Sequence, residues 1–480
     1  MVKEKLKYDL LVIGSGAAGF YAAREAARAG LKTAVVEKAE FGGTSFYWGS
    51  LPVKMIADKI KAYQKAVGLF SNLNAEPKIE DFLLQASDFK KIETKIKTDL
   101  TKAGADIFYG EGHFNSKQEF ELAEKIIKAE QLMLATGSKV KTGSNFNLDG
   151  KYIISHKEAV TLKELPESIL IVGMNIEGAE FASIFSFLGV KVYILDQEAS
   201  LLPGIDQDLT ELLQRELEKN GVELMASTLL KNTEITEIEA KKMVRAELES
   251  VSEKGENKSL VVDKILFTAG REANFPAGIE NLELDFKAQQ LKVNQKLQTS
   301  KPNVYALGDL NSRFGIASTA ISDALIAVNN LKQKKVFKNK LNSDQQEPLL
   351  EFKSAAEQII PLNIFTIPEI GGLGLSESQL KSKNIEYQIQ KYYFKDCWRS
   401  LNSSDPGFVK IMLAEDGDQV LGIYLVGNEL SEIISSLSLA GQNLQLKQLL
   451  ENIYVHPTRS EILREAALLQ LPGTKSLTGN

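Results

Sequence analysis

The chain has 480 residues, 44% of them apolar and 25% charged, the composition of a globular protein of several domains, which excludes a disordered or fibrous one. A formal net charge of -6, with basic residues spread along the whole length, excludes an electrostatic case for nucleic acid or an anionic membrane surface as partner. The single cysteine, Cys397, excludes an intramolecular disulfide of any kind.

In chain order, "MVKEKLKYDLLVIGSG" has charge and then a short apolar run, but the run leads into a glycine turn and reads as a strand, not a targeting segment. No stretch approaches the roughly 20 apolar residues of a membrane-spanning helix, since Glu177 and Glu180 interrupt the most apolar region. We expect a cytoplasmic protein without membrane insertion.

An internal repeat follows. "YDLLVIGSGAAGFYAAREAARAGLKTAVVEK" (8–38) and "ESILIVGMNIEGAEFASIFSFLGVKVYILDQ" (167–197) share one plan of apolar strand, glycine turn, helix, second strand and acidic residue. Gly14 and Glu37 are as far apart as Gly173 and Asp196. These are two βαβ units. In the first, G-x-G-x-x-G is Gly14, Gly16 and Gly19: one glycine for the tight turn, one for close approach to a pyrophosphate, one for helix-to-strand packing. The helix N-terminus would hold the phosphates, and Glu37 a ribose hydroxyl.

The second unit is less regular. Gly173 and Gly178 keep the outer positions, Asn175 takes the middle one, and Glu177 lies within the turn, where it would repel phosphates if it faced them. Two readings stay open: a nicotinamide nucleotide site, or a Rossmann unit whose nucleotide is lost or weakened. If it binds, Asp196 without a closely following arginine favours NAD(H) over NADP(H).

Short strand-turn signals come next: "LMLATGSKV" (132–140), "ILFTAGREAN" (265–274) and "NVYALGDL" (303–310). The polar stretch 332–347 reads as a linker, and alternating strands followed by helices from about Pro361 read as an α+β closing domain. His113 and His156 have no Cys or carboxylate at metal-ligand spacing along the chain, so no metal site is expected. No G-x-S-x-G elbow is present to make a serine a hydrolase nucleophile.

Taken in order, "GSGAAG" with Glu37, "GGTSFYWGSLPVK" (42–54), "ATGS", "TAGREAN", "YALGD", "FTIPEIGGLGLSE" and "VHPTRSE" resemble the flavoprotein disulfide reductases, the family of dihydrolipoamide dehydrogenase and the soluble pyridine nucleotide transhydrogenases. The resemblance implies an α/β fold of two Rossmann-like dinucleotide-binding domains plus an α+β carboxyl-terminal dimerisation domain. It implies an FAD-binding domain at 1–150, an NAD(P)H-binding domain at 151–275, a central domain at 276–345 and an interface domain at 346–480, assembled as a homodimer. FAD would be held by Gly14, Gly16, Gly19, Glu37, Gly43, Thr44, Thr136, Gly137, Gly308 and Asp309, and the nicotinamide nucleotide by Gly173, Gly178 and Asp196, with Gly270 at the crossing between the nucleotide domains. Lys54 would approach the flavin and pair with Glu180. His456 and Glu461 match an acid-base dyad reaching across the dimer, which here either serves another acceptor or survives as an interface hydrogen bond.

The motif that carries the family's redox cysteines aligns on Gly42, Gly43, Ser45, Ser50, Pro52 and Lys54, so Ser45 and Ser50 stand at the two sulfur positions. A hydroxyl neither forms an S–S bond nor ionises near neutral pH. The resulting expectation is an FAD-dependent NAD(P)H oxidoreductase that delivers electrons to a small-molecule acceptor other than a disulfide: a second nicotinamide, a quinone or dye, or oxygen. The alternatives are a catalytically reduced FAD-binding homologue acting as a binding or structural component, and a subunit that docks into a multi-enzyme complex.

Overall fold

The first apolar run becomes the strand Glu4–Ile13, whose inner half is fully buried because Leu10, Leu11, Val12 and Ile13 face packed helices and neighbouring strands. This is seen in a computed structural model that describes residues 3–70, 78–142, 146–251, 257–311, 315–334, 359–401 and 405–471. From residue 335 on, the stretch read as a linker lies outside the described residues. The chain divides into two units: Met1–Pro52 with Leu84–Lys141 and Arg271–Gln358, and Val53–Leu83 with Thr142–Gly270 and Ile359–Asn480.

In the first unit a seven-stranded sheet runs in the order Asp106–Tyr109, Thr33–Glu37, Glu4–Ile13, Lys125–Leu134, Phe120–Leu122, His113–Phe114, with Val304–Ala306 also paired to Lys125–Leu134. Its central strands are parallel and in register at their carboxyl ends, with Ile13 opposite both Val36 and Leu134, and Leu134 opposite Ala306. That register puts the loops beginning at Gly14, Ala135 and Leu307 at one sheet edge, where ligands of open α/β sheets bind. The helix Ala17–Arg28 buries six alanines, and these small side chains let it lie close against the helix Ala317–Gln333 in the unit's core.

The second unit repeats the plan with a five-stranded sheet in the order Glu223–Met225, Lys191–Leu195, Ser168–Val172, Lys264–Phe267, Ile153–Ile154, all parallel. The helix Ile176–Phe187 is buried along most of its length, which explains a sequence too apolar for a surface helix. A three-stranded antiparallel sheet (Thr228–Ile238, Lys241–Ser250, Lys258–Val262) is inserted before Lys264–Phe267. The closing part is an antiparallel five-stranded sheet in the order Leu362–Ile364, Glu369–Gly374, Val420–Gly427, Phe408–Ala414, Tyr387–Tyr393, backed by the helices Ser431–Ser438 and Ile462–Leu468. Two Rossmann-like sheets and an α+β carboxyl-terminal part are thus present. Among the described residues no helix is long and apolar enough to cross a membrane.

One buried cation ties the second unit together. Lys410, in the strand Phe408–Ala414, is 1% exposed, and its Nζ lies 2.9 Å from Asp206, 2.7 Å from Asp208 and 3.2 Å from Glu377. Burial pushes the Glu377 carboxyl up, but hydrogen bonds from Lys381, Lys410 and Tyr387 outweigh it and hold the group at about 2. Its stabilising contribution is therefore complete above the unfolded value near 4.5 and is lost as pH falls toward about 2. Lys410→Ala leaves three carboxylates without their shared partner, two of them on the segment that opens the helix Gln207–Lys219, and should cost about 3–5 kcal/mol. Denaturant unfolding at neutral pH checks this, and the loss should shrink below pH 4.

Candidate functional site

The first glycine turn is shaped by what its own backbone touches. A Cβ on Gly14, whose φ is +97°, would meet the Ala135 carbonyl oxygen at 2.4 Å, and one on Gly19 would meet the Gly14 carbonyl oxygen at 1.9 Å. Both glycines are required by the fold itself. Gly16 differs: among the described residues nothing lies within 4 Å of the Cβ it lacks, and it begins the helix Ala17–Arg28 with no side-chain cap. That helix N-terminus offers N–H groups beside open space, which suits a phosphate.

Glu37 closes the turn. One carboxylate oxygen accepts from the backbone N–H and hydroxyl of Ser15, both at 2.8 Å, and the other from the N–H groups of Lys38 and Ala39. Ser15 Oγ in turn accepts from Gly42 N–H at 3.2 Å, which brings in the next loop. There Gly43 crosses so near Gly16 that a Cβ on it would sit 3.0 Å from the Gly16 Cα. The loop continues as one turn of π-helix, Thr44–Trp48, holding half-buried Ser45. Ser50, exposed, is the first residue of the helix Ser50–Leu69 that also carries Lys54. Of the aromatic run, Phe46 packs on Phe20 and Tyr47 on Trp48 and Phe89; burial raises the Tyr47 hydroxyl pKa.

Arg271 joins four of the sequence motifs. Its Nε donates to Ser138 Oγ at 2.7 Å and its Nη2 to the Ser138 carbonyl at 3.0 Å and to Thr44 Oγ1 at 3.2 Å, while Ser138 Oγ donates to Asp309. "TAGREAN", "ATGS", "GGTS" and "YALGD" thereby meet in one polar network beside Gly137 and Gly308. Among the described residues, Thr136 Oγ1 is buried with no hydrogen-bond partner, a donor-acceptor left for a ligand. Neither Ser15, Ser138 nor Arg271 stood out in the sequence; their pairings span up to 227 positions, and the only local signal was their presence inside motifs already singled out.

In the second unit the turn is Gly173, φ +118°, to Gly178, and Asp196 accepts from Met174 N–H at 2.8 Å just as Glu37 accepts from Ser15. Asn175 behaves as a helix cap, its Oδ1 accepting from Gly178 N–H at 3.1 Å and its Nδ2 donating to the Thr268 carbonyl, next to Gly270. Its side chain is thus turned back into the protein. Glu177 meets a group the linear spacing had left isolated: its Oε1 lies 3.4 Å from Nδ1 of buried His156, while His113 lies 3.7 Å from Glu121. Both histidines have carboxylate neighbours in the folded chain, and no group of three potential ligands that could hold a metal occurs among the described residues.

Lys54 and Glu180 do pair. The ammonium touches both carboxylate oxygens, at 2.9 and 2.8 Å, with Glu180 5% exposed and also accepting from Phe365 N–H at 2.9 Å. His456 Nδ1 lies 3.1 Å from Glu461, which accepts further from Thr458 N–H and Arg464; these bonds, the Thr458 N–H first, outweigh desolvation and lower the Glu461 pKa. The imidazole itself is exposed in the single chain. Cys397 is 4% exposed and burial pushes its thiol up to about 12, so it is packing and not a nucleophile.

The family model described as pyridine nucleotide-disulphide oxidoreductase matches residues 8–324, and the model of that family's dimerisation domain matches residues 360–467. The chain belongs to the pyridine nucleotide-disulphide oxidoreductase family. It is 29% identical over 487 residues to a dihydrolipoyl dehydrogenase of Bacillus subtilis (strain 168), covering 96% of this chain and 98% of the relative. It is 28% identical over 480 residues to a soluble pyridine nucleotide transhydrogenase of Marinomonas sp. (strain MWYL1), covering 96% and 97%. Among solved structures, the HOCl-induced flavoprotein disulfide reductase RclA from Escherichia coli shares the fold, with a TM-score of 0.80 at 22% identity, over 97% of this chain and 100% of that one.

Arg271→Ala should remove the charged bonds to Ser138 and Thr44 and destabilise the first unit by about 2–3 kcal/mol. Arg271→Lys should recover little, because one ammonium does not span the fork. Urea unfolding of the three proteins measures both effects.

Proposed function

We propose that this chain is an FAD-dependent NAD(P)H oxidoreductase that passes electrons from a nicotinamide nucleotide through flavin to a small-molecule acceptor other than a disulfide. The observation that carries the reading is the cysteine count: Cys397 is the only one and is buried, while serines stand at 45 and 50. A family member needs two sulfurs within bonding reach to hold electrons as a dithiol, and this chain has none there.

The remaining parts of such an enzyme are supported by the geometry. FAD, when bound, would supply the two-electron carrier between nicotinamide and acceptor. The uncapped helix start at Gly16 suits its pyrophosphate, Thr136 Oγ1, buried without a hydrogen-bond partner among the described residues, could bond it, and Asp309, oriented by Ser138 and Arg271, suits a ribityl hydroxyl. Glu37 would share its carboxylate between Ser15 and a ribose. Lys54, fixed by Glu180, would hold a positive charge at the flavin edge, where reduction adds negative charge. On this reading residues 1–150 and 276–345 hold FAD, 151–275 the nicotinamide nucleotide with NAD(H) ahead of NADP(H), and 346–480 the partner of a homodimer. The match to a dimerisation domain and the exposure of Leu439, Ile453 and Val455 favour that dimer, with His456–Glu461 serving its interface. Phe46 and Tyr47 are engaged in packing, so the aromatic run fills space before it lines a pocket.

A second reading, a homologue that keeps FAD but has weakened nicotinamide binding, is favoured by one feature: the Gly178 N–H that a phosphate would use is already capped by Asn175. Anaerobic mixing separates the two. With NADH or NADPH the flavin absorbance near its visible maximum should bleach under the first reading, and should stay unchanged with both nucleotides under the second. Dihydrolipoamide-dependent NAD reduction should not exceed that of free FAD; a rate above that level contradicts the non-disulfide acceptor.

A further inference from the structure

Glu177 is an odd residue to find where a dinucleotide is to bind. The helix Ile176–Phe187 carries it at the second helical position, inside the first turn, where the helix dipole and free N–H groups attract negative charge. A carboxylate there competes with a phosphate for the same positive end. The internal repeat shows the contrast: the position equivalent to Glu177, counted from the first glycine of each turn, is Ala18, which carries no charge.

The fold supplies an answer to that charge from another element. His156 begins the short helix His156–Val160, capped by Ser155, directly after the strand Ile153–Ile154 that pairs with Lys264–Phe267. Its ring is 3% exposed, and among the described residues neither buried ring nitrogen has a hydrogen-bond partner. Burying an imidazole in that state costs free energy unless something compensates it. The compensation at hand is Glu177, whose Oε1 lies 3.4 Å from Nδ1. The contact is an electrostatic one, longer than a hydrogen bond, between a half-buried carboxylate and a buried ring.

We propose that His156 is a positioning residue for the second nucleotide turn: by engaging Glu177 it withdraws that carboxylate from the helix N-terminus and lets the turn accept the diphosphate of a nicotinamide dinucleotide. The inference rests on the nicotinamide reading above and deepens it. It also gives a physical reason for the carboxylate to be tolerated at this position.

The test is a binding measurement, not a rate. NADH is titrated calorimetrically into the full-length, FAD-loaded chain as wild type, His156→Leu, His156→Gln, Glu177→Gln and the Glu177→Gln/His156→Leu double variant. His156→Leu should weaken NADH binding roughly tenfold by taking the imidazole away from the carboxylate, about what one charge at a helix start is worth. The double variant should return to within about twofold of wild type, because the charge that His156 answers is gone; a merely packing histidine would show no such rescue. Glu177→Gln alone should bind at least as tightly as wild type, and His156→Gln, which keeps an N–H donor, should fall between wild type and His156→Leu. Unchanged affinity in His156→Leu, or a loss that Glu177→Gln does not restore, overturns the proposal and leaves the nicotinamide reading standing. If His156→Leu does not fold, a tenfold loss in Glu177→Gln overturns it equally. No NADH binding by the wild type overturns both.

Discussion

Each glycine turn in this protein is held by the same hydrogen bond, from the backbone N–H just after the first glycine to the carboxylate at the end of the next strand. The distance is 2.8 Å in both copies, Ser15 to Glu37 and Met174 to Asp196. Together with the bond from each first glycine's own N–H, to Val36 and to Leu195, it directs the chain leaving the strand so that Gly19 or Gly178 passes beneath the first glycine's carbonyl. A charge-assisted bond of this kind is among the stronger ones a backbone amide can make. It gives the acid at the same offset in both units a structural role of its own, at the sheet edge to which the strand register brings the loops of "ATGS" and "YALGD".

From that shared frame the two turns diverge. The first leaves its helix start open, with no cap on the helix and clear space over Gly16. The second fills part of its own helix start, since Asn175 caps Gly178 and Glu177 sits in the first turn. The same fold element therefore has an uncapped helix start in one copy and a capped, acidic one in the other, through two side chains. The Arg271 network belongs to the first: a guanidinium holding Thr44, Ser138 and, through Ser138, Asp309 gathers residues from distant segments into one rigid polar wall.

Much of this was legible in the sequence where chemistry is local. Gly14, Gly16 and Gly19 follow a strand and open a helix, and their spacing with the flanking strand, helix and acid placed them; the alternation at 408–427 placed a strand pair in the closing sheet. The Lys54–Glu180 pair was reached through family resemblance, because no rule of spacing joins residues 126 apart. What was not legible depends on tertiary neighbours. Lys410 stands in an otherwise apolar strand and is buried only because Asp206, Asp208 and Glu377 arrive from other elements. His156 looked isolated because its carboxylate partner comes from the next βαβ unit, and Asn175 looked like an obstruction because its capping role needs Gly178 folded beneath it.

Sulfur decides the route of the electrons. On our reading flavin is the only electron store within one subunit, and the acceptor must take its electrons directly from it. Anaerobic reductive titration with dithionite counts that store. Two electrons per bound flavin, with no further uptake after the visible band is bleached, is the result expected of a chain with serines at 45 and 50. Four electrons per flavin would reveal a second redox centre and contradict it.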